Sequence, residues 1–278
     1  IISLMLIIFF ISISFVSATS DTNQTLKLDD YTNEIIETTN DTYIGENNAK
    51  SFNELQVEIA KATAGSTLTL EDDYVYNGDT ATTGVAVYRD SLTIDGNGHT
   101  LDGKGESRIF FIGTAYNNIV LKNINFINGY YNGMSGAIHC TSENITITNC
   151  TFVNNHANGV AGAVYINKNN AVITNSQFIN NSGTNGGALR IESGNTATIT
   201  DNIFKDNIAT TNGGAIYIST KTSEIKNNKF IDNSAANSGG AIRLDNGNDV
   251  SIINNEFNGN NATSMGVALY LSVENSNI

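Results

Sequence analysis

The chain has 278 residues, a net charge of −13 from 14 Lys and Arg against 27 Asp and Glu, no Pro, no Trp and 43 Asn. Acidity without any Lys/Arg cluster excludes a nucleic-acid partner, which needs a basic stripe, and disfavours attraction to anionic lipid. With 40% apolar and only 15% charged residues the chain can build a core, which excludes global disorder, and the lack of Pro suits uninterrupted hydrogen-bonded ladders.

Residues 1–18, IISLMLIIFFISISFVSA, are apolar or hydroxylated and close on the small-residue pattern Val16-Ser17-Ala18. They read as a signal peptide cleaved after Ala18, or else as an N-terminal membrane anchor; either way the rest is exported. Membrane contact is expected only through this segment. Its first residue is Ile and no basic flank precedes it, so the natural start is expected further upstream. Residues 19–50, rich in Thr, Asn and Asp, read as a flexible polar linker.

Ser51-Phe-Asn-Glu54 is a capping box opening the amphipathic stretch FNELQVEIAKA, so a short capping helix is expected over residues 51–64, ended by Gly65. Such a helix would cover the first layer of the adjoining strands and block edge-to-edge aggregation. The segments TLTL (67–70), GVAVY (84–88), LTIDGNGHTLDG (92–103) and RIFFI (108–112) then read as irregular first coils.

From there a repeat dominates. Phe126, Phe152, Phe178, Phe204, Phe230 and Phe257 are separated by 26, 26, 26, 26 and 27 residues. In phase with them run SGAI, AGAV, GGAL, GGAI, GGAI and GVAL, beginning at Ser135, Ala161, Gly186, Gly213, Gly239 and Gly266. Apolar residues alternate with period two, as in Ile145/Ile147 before Phe152 and Val164/Ile166 after Ala161, which is the signature of strands with one buried face. Each copy holds two clear strands and a third around the Phe, separated by Gly/Asn/Ser turns. Without helical crossovers, one copy closes one turn of a solenoid, and neighbouring turns stack about 4.8 Å apart as parallel strands. The fold class expected over residues 65–278 is therefore all-β, a right-handed parallel β-helix with about 26 residues per coil. Asn supplies left-handed turns, and its amide can bond to the Asn above and below. The last residues stop where another strand would begin, so the array is expected to continue beyond residue 278.

The paired motifs GGA[ILV] and FxxN, the latter at Phe152…Asn155, Phe178…Asn181, Phe204…Asn207, Phe230…Asn233 and Phe257…Asn260, resemble the repeats of chlamydial polymorphic membrane proteins. The first copy departs, with Gly129 in the Asn position. LTIDGNGHTLDG, the Asn-rich coils and the helix-capped start look most like adhesin-like surface proteins of methanogenic archaea. The resemblance covers residues 51–278 and extends to the pectate-lyase-like β-helix. It implies a secreted or cell-surface protein acting in adhesion, whose partners are surface glycans or proteins of another cell.

One outward column carries a candidate ligand-binding face. The position after the first buried aliphatic reads His139, Tyr165, Arg190, Tyr217, Arg243, Tyr270, and two residues on it includes Glu192 and Asp245. Stacked Tyr and Arg make cation–π contacts, and a stripe of flat rings and forked donors suits a glycan chain. The alternative is a ladder that only stabilises and solubilises its sheet. Parallel β-helices also carry polysaccharide lyases and hydrolases, so an enzyme is the rival reading. Glu192 and Asp245 lie two coils apart, about 9.6 Å along the axis, near the upper limit for an inverting carboxylate pair. Each follows an Arg by two residues, which should keep both ionised and leave no acid to donate a proton. Asp72 and Asp73 have no matched partner nearby in sequence, His99 reads as a turn residue, and His139 and His156 lack companions at metal-ligand spacing. No cofactor or metal is implied. Cys140 replaces a core aliphatic, and the register points Cys140 and Cys150 in different directions, which argues against a bridge between them. Of six Asn-x-Ser/Thr sites, Asn149 is assigned to an inward ladder.

Overall fold

A computed structural model describes residues 49–194, 196–247, 249–274 and 276–278. The expected signal peptide and nearly all of the linker lie outside the described residues. The linker boundary moves at its last residue: Lys50–Ser51 is a short strand paired in parallel with Tyr74–Val75.

Each of the six coils from Val120 to Ser272 contributes a strand to each of four parallel sheets, and the coils before them lack the third. In one coil these are Thr146–Thr148 (sheet 1), Thr151–Val153 (sheet 2), His156–Ala157 (sheet 3) and Val164–Ile166 (sheet 4). Sheets 1 and 2 have nine strands, sheet 3 six and sheet 4 eight. The structure is thus the expected parallel β-helix, with one element more per coil. Sheet 3 escapes sequence reading because its strands are mostly two residues long and bury only a small side chain, such as Ala157, Ala209 or Ala235.

The corners arise from single residues in the left-handed region. Between sheets 1 and 2 stand Asn123, Asn149, Asn175, Asp201, Asn227 and Asn254, with φ between 49° and 59°. Between sheets 2 and 3 stand Asn128, Asn154, Asn180, Asp206 and Asp232, with φ between 52° and 57°. Asn and Asp tolerate this conformation better than other side-chain-bearing residues. Asn149 is therefore an exposed corner residue whose Nδ2 donates to Asn123 Oδ1 at 2.7 Å, and its assignment to an inward ladder is corrected.

The inward ladder belongs to the residue after the corner. Asn155, Asn181, Asn207, Asn233 and Asn260 are buried in one column. Asn207 shows the pattern: Nδ2 donates to Phe178 O at 2.9 Å and to Asn233 Oδ1 at 2.9 Å, while Oδ1 accepts from Asn181 N at 3.1 Å and Asn181 Nδ2 at 3.0 Å. All four bonding positions of the amide are filled, as burial requires. Where Gly129 replaces Asn, its N–H still donates to Asn155 Oδ1 at 2.8 Å. A second buried column, Asn202 and Asn228, repeats the scheme after sheet 1.

The core is stacked by residue type. The six repeat phenylalanines stack nearly face to face, with centroids 4.6–5.1 Å apart and rings within 10° of parallel. Coil spacing, not ring preference, sets this geometry, since free pairs favour offset or edge contacts. The Gly-Gly corner before sheet 4 has two separate causes. Gly213 has φ +62, and a Cβ on Gly214 would lie 1.9 Å from Gly240 O in the next coil. Cys140 and Cys150 are both buried and unbridged, with burial pushing the Cys150 thiol up to about 12.

At the first coil the helix α1, Phe52–Lys61, starts at the N-cap Ser51 with both capping-box bonds formed, and buries Phe52, Leu55 and Ile59. Gln56 docks on the edge strand of sheet 4 as a strand would. Its Oε1 accepts from Ala86 N at 2.7 Å and its Nε2 donates to Ala86 O at 3.0 Å. Arg89 Nε donates to Ala62 O at 2.9 Å and closes the C-terminal end of the helix.

Candidate functional site

Sheet 4 turns one column of side chains outward, in the register Phe111, His139, Tyr165, Arg190, Tyr217, Arg243, Tyr270. Alternation places each between two inward apolar residues, so the column is fixed by the core pattern on either side of it. The Arg190 guanidinium lies 4.4 Å from the Tyr217 ring centroid, and Arg243 lies 5.9 Å from Tyr217 and 4.6 Å from Tyr270. Tyr217 is thus sandwiched between two guanidinium groups. Its faces look along the solenoid axis and its edge looks outward.

The neighbouring outward rank supplies the acids. Arg190 pairs with Glu192, which also accepts from Tyr165 Oη. One coil pair further on, Arg243 Nε lies 2.9 Å from Asp245 Oδ2, and Tyr217 Oη donates to the same oxygen at 2.6 Å. Each carboxylate therefore holds one Arg and one Tyr from adjacent coils. Burial and then the carboxylate partner raise the phenol pKa of both Tyr165 and Tyr217, so both remain proton donors at neutral pH. Arg243 Nη1 also donates to Asn212 Oδ1 at 2.9 Å. Asn212 is a contributor that the sequence pattern did not single out. Its signal is the Asn that precedes Gly-Gly in two successive copies, Asn185 and Asn212, whose amides bond to each other at 3.0 Å.

Two expectations about this face change. Tyr165 is only 2% exposed and is removed from the accessible set, because its ring packs 5.1 Å from His139 and its hydroxyl is turned onto Glu192. Arg190, Glu192, Arg243 and Asp245 keep side-chain exposures of 16%, 23%, 19% and 14%, so they offer edges and not whole groups. Stacking of a sugar on Tyr217 is blocked by the guanidinium groups that already use its faces.

Elsewhere, His139 stacks on Phe111 at 5.4 Å, and burial, then the charge of Arg108, lowers its pKa to about 4. Arg108 is itself buried and tied to the carbonyls of Thr83, Met134 and Ser135, with its guanidinium 3.7 Å over the Tyr131 ring. The adjacent acids of the first coils do have partners, supplied by distant segments: Asp72 pairs with Lys50 at 2.7 Å and Asp73 with His99 at 3.2 Å. Among the described residues no three His, Cys, Asp or Glu side chains gather as a metal site.

No curated protein matches the chain. Residues 135–278 match the family described as the right handed beta helix region, and these residues are more than half of the sequence. Parallel stacking of every coil, inward aliphatic, Phe and Asn columns, and this match together place the chain in the right-handed β-helix family.

Proposed function

We propose that the chain is a non-enzymatic, adhesin-like protein, secreted or held at the cell surface, whose repeat surface contacts glycans or proteins of other cells. The carrying observation is that Glu192 and Asp245 are each engaged by an Arg and a Tyr. A glycosidase or lyase needs one carboxyl or basic group held out of such pairing to move a proton. The resemblance of LTIDGNGHTLDG, the Asn-rich coils and the helix-capped start to adhesin-like surface proteins points the same way. On this reading the outward column binds through hydrogen bonds at its edges.

Binding of the protein to whole cells and to an immobilised glycan panel tests the proposal, alongside a polysaccharide-cleavage screen. Binding that falls about tenfold, or by about 1.4 kcal/mol, in the double variant Arg190→Gln/Arg243→Gln supports a role for the column. Polysaccharide cleavage abolished by Glu192→Gln or Asp245→Asn would overturn the non-enzymatic assignment.

A further inference from the structure

Of the six Asn-x-Ser/Thr triplets, four lie among the described residues, at Asn144, Asn149, Asn180 and Asn261. Such triplets arise by chance in a chain with 43 Asn, so acceptors are told from bystanders by where the amide stands and how many of its hydrogens the fold uses. The inward column uses both. Asn155, Asn181, Asn207 and Asn233 each donate one Nδ2 hydrogen to a Phe carbonyl and the other to the next Asn, and none of them begins an Asn-x-Ser/Thr triplet. The corner amides use one. Asn149 Nδ2 donates to Asn123 Oδ1 at 2.7 Å and Asn180 Nδ2 to Asn154 Oδ1 at 2.7 Å, a second hydrogen remains on each nitrogen, and both residues are exposed. Asn144 differs in being half-buried and held from both sides, giving to Asn118 Oδ1 at 2.8 Å and taking from Asn170 Nδ2 at 2.7 Å.

The surroundings of Asn149 and Asn180 suit a bulky polar substituent. Their corner columns hold only short side chains, Asn123, Asn149, Asn175 and Asp201 in one and Asn128, Asn154, Asn180 and Asp206 in the other. Between the two corners runs sheet 2. Its outward position after the inward Phe is apolar in three successive coils, Ile127, Val153 and Ile179, before Lys205 interrupts it. The corresponding outward position of sheet 1 is polar in those coils, as Lys122, Thr148 and Thr174. Apolar side chains in a row on an outer face favour association unless something covers them.

We propose that Asn149 and Asn180 carry N-linked oligosaccharides, which stand one at each flank of the sheet 2 stripe and shield it. In the transfer, Nδ2 bonds to C1 of a sugar held on a lipid-linked phosphate carrier. The C1–O bond to the carrier breaks, the carrier phosphate leaves with the electron pair, and Nδ2 gives up one hydrogen as a proton, with nothing oxidised or reduced. The hydrogen that stays on Nδ2 keeps the bond to Asn123 or Asn154, so the coil closes with the sugar in place. Transfer precedes closure, because Asn149 N to Thr174 O at 3.2 Å and Thr151 N to Ile124 O at 3.0 Å fix the triplet in the folded ladder, as Asn180 N to Lys205 O at 3.0 Å and Ser182 N to Asn155 O at 2.9 Å fix the other. The inference rests on the exported reading above and not on sheet 4, which carries none of the four triplets.

Export of the full chain from a host that glycosylates Asn-x-Ser/Thr, with each triplet read by mass spectrometry, tests the proposal. Asn149 and Asn180 should be occupied in most molecules. Thr151→Val should strip the sugar from Asn149 alone and Thr151→Ser should keep it, while Ser182→Ala should strip it from Asn180 alone. Enzymatic removal of the sugars from the folded protein should raise self-association in sedimentation. Exported chain with Asn149 and Asn180 both bare overturns the inference, whatever Asn23 and Asn40 carry, and association unchanged by removal overturns the shielding. Neither result bears on binding to cells and glycans, whose absence would instead overturn the surface reading.

Discussion

Replacing Asn207 by Leu isolates the value of one inward amide. The variant fills a similar volume, so water has no room to substitute for the lost groups. It orphans Asn181 N and one hydrogen of Asn181 Nδ2, while Phe178 O keeps its ladder bond within the parallel strand pair and Asn233 Oδ1 keeps its bond from the residue-207 backbone. Each buried polar group left unpaired costs about 1–3 kcal/mol, so the two together cost about 2–6 kcal/mol, a large share of a typical domain's net stability. The exposed corner one residue earlier in the preceding coil is the control. Asn180→Ala loses a solvent-exposed bond to Asn154 Oδ1 and places Ala at φ +54, for a cost of about 1 kcal/mol, and Asn180→Gly removes the backbone part of that. Denaturant unfolding would rank the three variants, and hydrogen exchange would track the Asn181 amide directly. Local transitions are read separately because long repeat arrays need not unfold as one unit. If Asn207→Leu lies within about 1 kcal/mol of the parent and the Asn181 amide stays protected, the account of the inward column is wrong.

The geometry carries three further expected outcomes. Gly214→Ala should cost more than about 4 kcal/mol, because the clash is with Gly240 O on a backbone held by its neighbours; a melting temperature within a few degrees of the parent would refute this. His139 has a folded pKa of about 4, below its ordinary 6.5, so the unfolded chain protonates first as pH falls. Its stabilising contribution is full above pH 6.5 and is lost as pH falls toward about 4, and His139→Phe should flatten that part of the stability–pH curve. Gln56→Leu should cost about 1–2 kcal/mol by stripping both bonds from Ala86, and sedimentation should detect association through the bared edge; a strictly monomeric variant with unchanged stability would contradict the edge-cap role.

Periodicity made most of the fold legible. The spacing of Phe126 to Phe257, the alternation around Ile147 and Ile166, and the Ser51…Glu54 box each state a local geometry that nothing else in the chain opposes. Sheet 3 stayed hidden because a two-residue strand carrying one Ala has no period to display. The direction of Asn149 was misread for a related reason. Corner and inward positions both carry Asn in coils such as Asn227-Asn228, so the two look alike in sequence, yet Asn149 sits at φ +51 outside while the next position, Cys150, points inward. The candidate face was legible as a register and not as a surface. That Tyr165 is covered, and that Tyr217 has no free face, depends on where the guanidinium groups settle, which alternation does not encode. Partners more than 20 residues away, such as Lys50 for Asp72 or Gln56 for Ala86, required the coils to be closed before they could be seen.

The inward Asn column has a direction. Each amide gives one hydrogen to the Asn of the higher-numbered coil and takes one from the Asn of the lower-numbered coil, from Asn155 through Asn260. A coil is therefore read identically by its two neighbours, whatever lies beyond them. Excising 26 residues, from Phe152 to Gln177, would set Phe178 after Thr151 and leave the Phe and Asn columns unbroken. Duplicating the same block would lengthen them with no new kind of contact. The number of coils is thereby uncoupled from the chemistry that joins them, so reach can change in whole-coil steps while each exposed residue keeps its compass bearing around the axis.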